Sequence, residues 1–170
     1  MHRGFRIALL GLIPAPIAAV QAFTPAPMVL VNTSPSEPTG LYIRSPRSPA
    51  VGRIIAFRPP PGAYPYVADA MPERARTSIL KAVRGGEGDL VCANERRVLV
   101  NDQVWPAAAR FDRRGRLLPQ WRDCRRLAAD EVFVLSTRIP NSFDSRYYGP
   151  VHRAEILGVY TPLLTSGRPS

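Results

Sequence analysis

Arg97-Val98-Leu99-Val100-Asn101-Asp102-Gln103-Val104-Trp105 holds two strand-forming runs either side of a polar dipeptide. Val98, Val100 and Val104 have branched side chains that suit a pleated surface, and Asn-Asp between such runs is a two-residue hairpin signal. The same grammar recurs outward from this point. Asp89-Leu90-Val91-Cys92-Ala93 follows the turn Gly85-Gly86-Glu87-Gly88, and Arg53-Ile54-Ile55-Ala56-Phe57 runs from Gly52 to Pro59-Pro60-Pro61-Gly62. Glu131-Val132-Phe133-Val134-Leu135 and Ala154-Glu155-Ile156-Leu157-Gly158-Val159-Tyr160 complete the set. Runs this close together, joined by short turns, favour antiparallel pairing over the crossovers that a parallel sheet needs. The 19 prolines also oppose an all-α fold. One short helix is expected: Pro72 suits a first helical position, and Ala75, Ile79 and Val83 repeat at helical spacing. That reading leaves Lys81 near a helix end or on a following strand.

At 170 residues the chain is long enough to bury a core as one folded domain, assigned here to residues 32–170. Residues 1–31 read differently. Arg3 and Arg6 precede an apolar run from Ile7 to Val20, and the first acidic residue is Glu37. That run is short for a membrane span and typical of the apolar region of an export signal, with Val20-Gln21-Ala22 as a small-residue end. Apolar character resumes from Pro27 to Val31, so the alternative is an uncleaved anchor with its basic end in the cytoplasm. Both readings place the remainder beyond the inner membrane, in the periplasm or at its face. In such an oxidising compartment Cys92 and Cys124, the two cysteines, are expected to form a disulfide. It would close a loop of roughly 30 residues and stabilise by about 3–4 kcal/mol in the chain-entropy description.

The inventory of chemical groups is thin. No CxxC or HxxxH spacing exists for a zinc site, and neither metal nor cofactor is expected. A Ser-His-Asp triad would rest on His152, with no G-x-S-x-G elbow anywhere. The net charge of +10 invites nucleic acid, yet the arginines are scattered apart from a cluster between Arg110 and Arg126, and no binding motif accompanies them. Nucleic acid is therefore not an expected partner. Of the 23 Lys and Arg residues, Lys81 is the single lysine, set in Ile79-Leu80-Lys81-Ala82-Val83. Arginine stays charged, whereas a lysine in apolar surroundings can lose its proton. A serine activated by Lys81 is the main covalent chemistry left open.

Three segments share that possibility. They are Ser34-Pro35-Ser36-Glu37-Pro38-Thr39-Gly40-Leu41-Tyr42, then Ile79 to Asp89 around Lys81, then Asn141-Ser142-Phe143-Asp144-Ser145-Arg146-Tyr147-Tyr148-Gly149. In that order they resemble the serine, lysine and D-S-R-Y boxes of the signal peptidase family, in its conjugative-transfer branch. The chain departs at Glu87, where family members usually carry proline before Gly-Asp. The resemblance implies a signal-peptidase-like antiparallel β fold. It implies Ser36 as nucleophile, Lys81 as general base, and Ser34 with the Ser36 backbone N–H as oxyanion hole. It also implies Ser142 as the residue orienting the lysine amine. Asp144 matches the acidic residue that supports the site, and it reads equally as a structural partner of Arg146. A turn or cap role remains the plain alternative for Ser36, and a solvated surface position for Lys81.

The resemblance further implies an endopeptidase that cleaves exported precursors after small residues, the pilin precursor of a conjugation system above all, with cyclisation as one outcome. The competing reading is a non-catalytic exported β-domain serving as a scaffold in the secretion apparatus.

Overall fold

The computed structural model describes residues 26–167 of the chain. Most of the expected signal or anchor segment therefore lies outside the described residues. Its end does not: Val29–Asn32 form strand β1. There follow β2 (Thr39–Ser45), β3 (Ile54–Phe57), helices α1 (Tyr66–Ala70) and α2 (Glu73–Thr77), and β4 (Ile79–Gly85). Next come β5 (Leu90–Ala93), β6 (Arg97–Val100), β7 (Gln103–Pro106), β8 (Cys124–Arg126) and β9 (Glu131–Val134). Helix α3 (Ser145–Tyr148), β10 (Val151–His152) and the long β11 (Ile156–Ser166) end the order.

All pairings are antiparallel, in two sheets. A seven-stranded sheet runs β1-β2-β11-β3-β4-β9-β10, and a four-stranded sheet runs β7-β6-β5-β8. The hairpin read at Asn101-Asp102 is in place, with Val100 paired to Gln103 and Asn101 at φ 51°. That left-handed value is one asparagine tolerates better than most residues. The turn at Gly86 to Asp89 is closed by Asp89, whose N–H reaches the Gly86 carbonyl at 3.0 Å and whose carboxylate accepts the Gly86 N–H at 2.8 Å.

The helical content differs from the sequence reading. Helix α2 is capped by Pro72 but stops at Thr77, where Ser78 turns extended (φ −156°, ψ 132°), and Ile79 and Val83 belong to β4. Short helices α1 and α3 were not expected. The i, i+4 spacing of Ala75, Ile79 and Val83 coincides with an even strand spacing, so two of its three members fit either element. Burial decides between them. β4 has both faces covered: Ile79 and Val83 pack with Ile55, Phe57, Val134, Phe143 and Tyr147, while Leu80 and Ala82 pack with Tyr42, Ile54, Ala56 and Tyr160. A central strand of this kind reads as a continuous apolar run rather than an alternation. Full burial of one such side chain is worth about 1.5–3 kcal/mol, more than the propensity difference that a five-residue helix could offer. Lys81 shares the face of Ile79 and Val83 by strand alternation.

A third core joins the two sheets, with Val91, Val98 and Val100 of the small sheet against Phe133 and Leu135 at the end of β9. Cys92 and Cys124, directly opposite in the β5–β8 register, are joined in a disulfide.

Candidate active site

The loop between β1 and β2 carries Ser34 and Ser36. Its prolines, Pro35 and Pro38, fix φ and lack N–H donors, so a side chain must organise the loop. Asn32, buried at the end of β1, does this. Its Nδ2 donates to the carbonyls of Ser34 (2.9 Å), Glu37 (3.1 Å) and Pro38 (2.9 Å), and its Oδ1 accepts the Ser34 N–H at 3.0 Å. The Tyr42 hydroxyl donates to the Pro38 carbonyl at 2.7 Å. Gly40, at φ +138°, lies so close to the Leu164 carbonyl of β11 that any Cβ there would collide with it. The loop is thereby clamped between β2 and the core, and Ser36 is left 2% exposed.

Lys81 arrives from the centre of the sheet. Residues Ile54 to Phe57 of β3 pair with Ile79 to Ala82, which fixes the rotation of β4 and places Ile55 opposite Lys81. The amine is buried and donates a hydrogen bond to Ser36 Oγ. Burial pulls the Lys81 pKa down from the usual lysine range to about 8, opposed by the charges of Asp144 and Glu37 and assisted by that of Arg146. An amine so placed is neutral in a substantial fraction of molecules at mildly alkaline pH and can then accept the Ser36 proton.

Asp144 does not touch the pair. It caps α3 and holds Arg146 in a bidentate ion pair, Nε to Oδ1 at 2.8 Å and Nη2 to Oδ2 at 2.9 Å, with both side chains buried. Oδ2 also accepts the Ser136 N–H at 3.2 Å. Arg146 Nη2 reaches the carbonyls of Ser136 (3.2 Å) and Ser142 (3.1 Å), tying the segment after β9 to α3. The Ser136 hydroxyl donates to the Ser36 carbonyl. Asp144 thus fixes backbone around the serine and biases Lys81 through its charge. Gly149 ends α3 at φ +84°, where a Cβ would come within 2.7 Å of the Trp121 ring.

Ser142 differs from expectation. Its hydroxyl is buried without a hydrogen-bond partner, so the bond expected to the Lys81 amine is not made; the amine is turned to Ser36 instead. Ser34 Oγ lies 3.0 Å from Ser36 Oγ and at 3.5 Å from the Ser36 nitrogen. A hydroxyl and a backbone N–H therefore flank the Ser36 side chain from its own loop. His152 stands apart on the edge strand β10, exposed and bonded to Asp130 at 3.0 Å.

Glu37, Ser136 and Asn32 were not singled out in the sequence. Glu37 is fully buried and accepts the Ala82 N–H at 3.0 Å. Its position beside Ser36, as the first acidic residue of the sequence, was the available signal. Ser136 carried none, because its role depends on a loop 100 residues away.

Known proteins resemble this chain over most of its length. The signal peptidase family, peptidase S26, matches residues 3–164. The chain is similar to the plasmid transfer protein TraF of Escherichia coli, 34% identical over 144 residues that cover 79% of this chain and 81% of that protein. It is also similar to a probable conjugal transfer protein TraF of Sinorhizobium fredii, 30% identical over 173 residues, 92% of this chain and 89% of that one. A solved signal peptidase I of Enterococcus faecalis V583 aligns over 69% of this chain and all of its own, at 23% identity and a TM-score of 0.41.

Proposed function

This chain belongs to the signal peptidase family, peptidase S26, and from that premise we propose a serine endopeptidase with Ser36 as nucleophile and Lys81 as general base. The observation that carries the reading is the buried Lys81 amine against Ser36 Oγ. Neutral Lys81 takes the hydroxyl proton as Ser36 Oγ attacks the scissile carbonyl, then returns it to the departing amine. The Ser36 N–H and Ser34 hydroxyl receive the developing oxyanion. Water, or an amine of the substrate, then releases the acyl group from Ser36 Oγ and regenerates the hydroxyl. Asp144 is a positioning residue, through Arg146 and the backbone of Ser136.

The substrate on this reading is an exported precursor cleaved after small residues, and for a relative of plasmid transfer proteins the pilin precursor is the first candidate. Extended substrate would add to a strand edge beside the serine loop. The enzyme would work at the periplasmic face of the inner membrane. Val31, Leu41 and Leu164 lie in one row across β1, β2 and β11, with Val29 and Ile43 one pleat away, and most of these are exposed. Such a face just beyond the N-terminal apolar segment suits contact with lipid.

The test is cleavage of a purified pilin precursor, with products separated by mass so that a linear product is told from a cyclic one, lighter by one water. Ser36→Ala and Lys81→Arg should each abolish processing with the fold retained, since arginine keeps the charge but cannot act as base. Ser34→Ala should slow it by about 10²–10³-fold. Near-normal cleavage by Lys81→Arg would remove the pair from the mechanism.

A further inference from the structure

The carbonyls of the serine loop, Ser34 to Pro38, all accept hydrogen bonds, but from two different places. Asn32, at the mouth of the same loop, holds those of Ser34, Glu37 and Pro38. The remaining pair, Pro35 and Ser36, flank the candidate nucleophile, and a segment 100 and more residues away in sequence holds both. The wholly buried Ser136 hydroxyl donates to the Ser36 carbonyl, and Arg138 Nε donates to the Pro35 carbonyl at 3.4 Å. Ser136 Oγ in turn accepts the Arg138 N–H at 3.3 Å, which leaves its own hydrogen directed at Ser36. The backbone of Ser136 is anchored as well. Its N–H meets Asp144 Oδ2 and its carbonyl meets Arg146 Nη2, each at 3.2 Å.

Resting on the Ser36–Lys81 reading, we propose that Ser136 and Arg138 are positioning residues: they hold the peptide units on either side of Ser36 and so aim its backbone N–H, the oxyanion donor. The Pro35 carbonyl and the Ser36 N–H are the two ends of one planar peptide unit, and in the trans form they point in opposite directions. Holding the first therefore directs the second. The Ser36 carbonyl belongs to the next unit. With both planes held, φ and ψ of Ser36 are set, and with them the direction in which Oγ leaves the backbone. An oxyanion donor is effective when it is aimed before the charge develops, so that none of the barrier goes into turning it. Ser136 is enclosed, whereas Arg138 is exposed and its bond is long, so the larger effect belongs to Ser136. The buried Asp144–Arg146 pair thereby acts on the oxyanion hole through Ser136 rather than by touching the reacting groups.

The test compares Ser136→Ala, which removes the donor to the Ser36 carbonyl, with Arg138→Met, which keeps an unbranched stem and removes the donor to Pro35. Both are made in the full-length protein and leave Ser36, Lys81 and Ser34 unaltered. In cleavage of the pilin precursor, the high-pH plateau of kcat should fall about tenfold or more in Ser136→Ala and about threefold in Arg138→Met. KM and the position of the ascending pH limb should stay where they are. A second readout uses the precursor sequence up to the cleavage point, made as a peptide aldehyde. Ser36 Oγ bonds to the aldehyde carbon, the hydroxyl proton passes to Lys81, and the charge settles on the former carbonyl oxygen. The same peptide ending in the alcohol binds without that step. In Ser136→Ala the advantage of aldehyde over alcohol should shrink by the same factor as kcat/KM, with affinity for the alcohol unchanged. An undiminished plateau in either variant, or a loss shared equally by aldehyde and alcohol, overturns the proposal. Should Ser136→Ala not fold, Arg138→Met decides by the same two readouts. Retained cleavage in Ser36→Ala would sink the Ser36–Lys81 reading and this proposal with it. Loss of cleavage in Ser36→Ala beside an undiminished plateau in Ser136→Ala sinks the proposal alone.

Discussion

Lys81 stands between opposing influences: burial that discharges its amine, and the carboxylates of Asp144 and Glu37 that favour the ammonium. Burial prevails, and the pKa falls to about 8. A base works only when neutral, and the neutral fraction of a lysine grows as pH rises through its pKa. The pH profile of kcat/KM should therefore climb through an ascending limb near 8, reporting the free enzyme. His152→Ala should leave that limb in place, because His152 is exposed and bonded to Asp130. A limb near the histidine value of ~6.5 that disappears in His152→Ala would transfer the base from Lys81 to His152. The serine and the lysine were legible in the sequence because a lone lysine in an apolar run is conspicuous. Glu37 and Ser136 were not, since their roles lie in which backbone donor or carbonyl each one meets. Ser142 shows the converse, a box residue whose hydroxyl makes no bond to the lysine.

Among the elements, those bounded by local chemistry were readable and those defined by a partner were not. The β6–β7 hairpin carries its turn in Asn101-Asp102, and β3, β5 and β9 each end near glycine, proline or a polar turn. β8, three residues reading Cys-Arg-Arg, has no apolar pattern and is a strand because β5 supplies its hydrogen bonds. β10 has two residues and depends likewise on β9. β4 was shared with a helix because burial on both faces erased its alternation. The small sheet also carries the disulfide, which spans 32 residues of sequence rich in arginine and proline. Replacing both Cys92 and Cys124 by serine should lower unfolding free energy by about 3 kcal/mol in denaturant titrations. Processing at low temperature should persist, because the serine loop and β4 belong to the other sheet. Thiol labelling of exported protein without reductant should find neither cysteine. An unaltered denaturation midpoint in the double variant, or free thiols in exported material, would refute a stabilising bridge.

At the scale of the whole molecule, the candidate site exists only when the large sheet is complete. Ser36 meets Lys81 across 45 residues of sequence and Ser136 across 100. The strands that hold them are separated in the sheet by β11 and β3. Contacts this distant form late and together, so the reactive pair is assembled by global folding rather than by one loop. It follows that the titration of Lys81 is linked to the stability of the entire chain. Folding lowers its pKa to about 8 from the ordinary lysine value of 10.5, so between those values the unfolded chain binds more protons than the native one. Stability must then rise with pH across that window and stay level, for this group, below it. The comparison that isolates the effect is Lys81→Met, which keeps length and removes the titration, while the tyrosines and other groups are common to both proteins. Urea unfolding at pH 7, 8, 9 and 10 should show the unaltered protein gaining on Lys81→Met by a few kcal/mol between about pH 8 and 10. Between pH 7 and 8 the gain should be only about 0.3 kcal/mol. A difference that is constant across the series, or that shrinks as pH rises, would mean that the fold leaves the Lys81 amine at least as basic as in the unfolded chain. Such an amine would stay protonated near neutral pH and could not serve as the base that Ser36 requires.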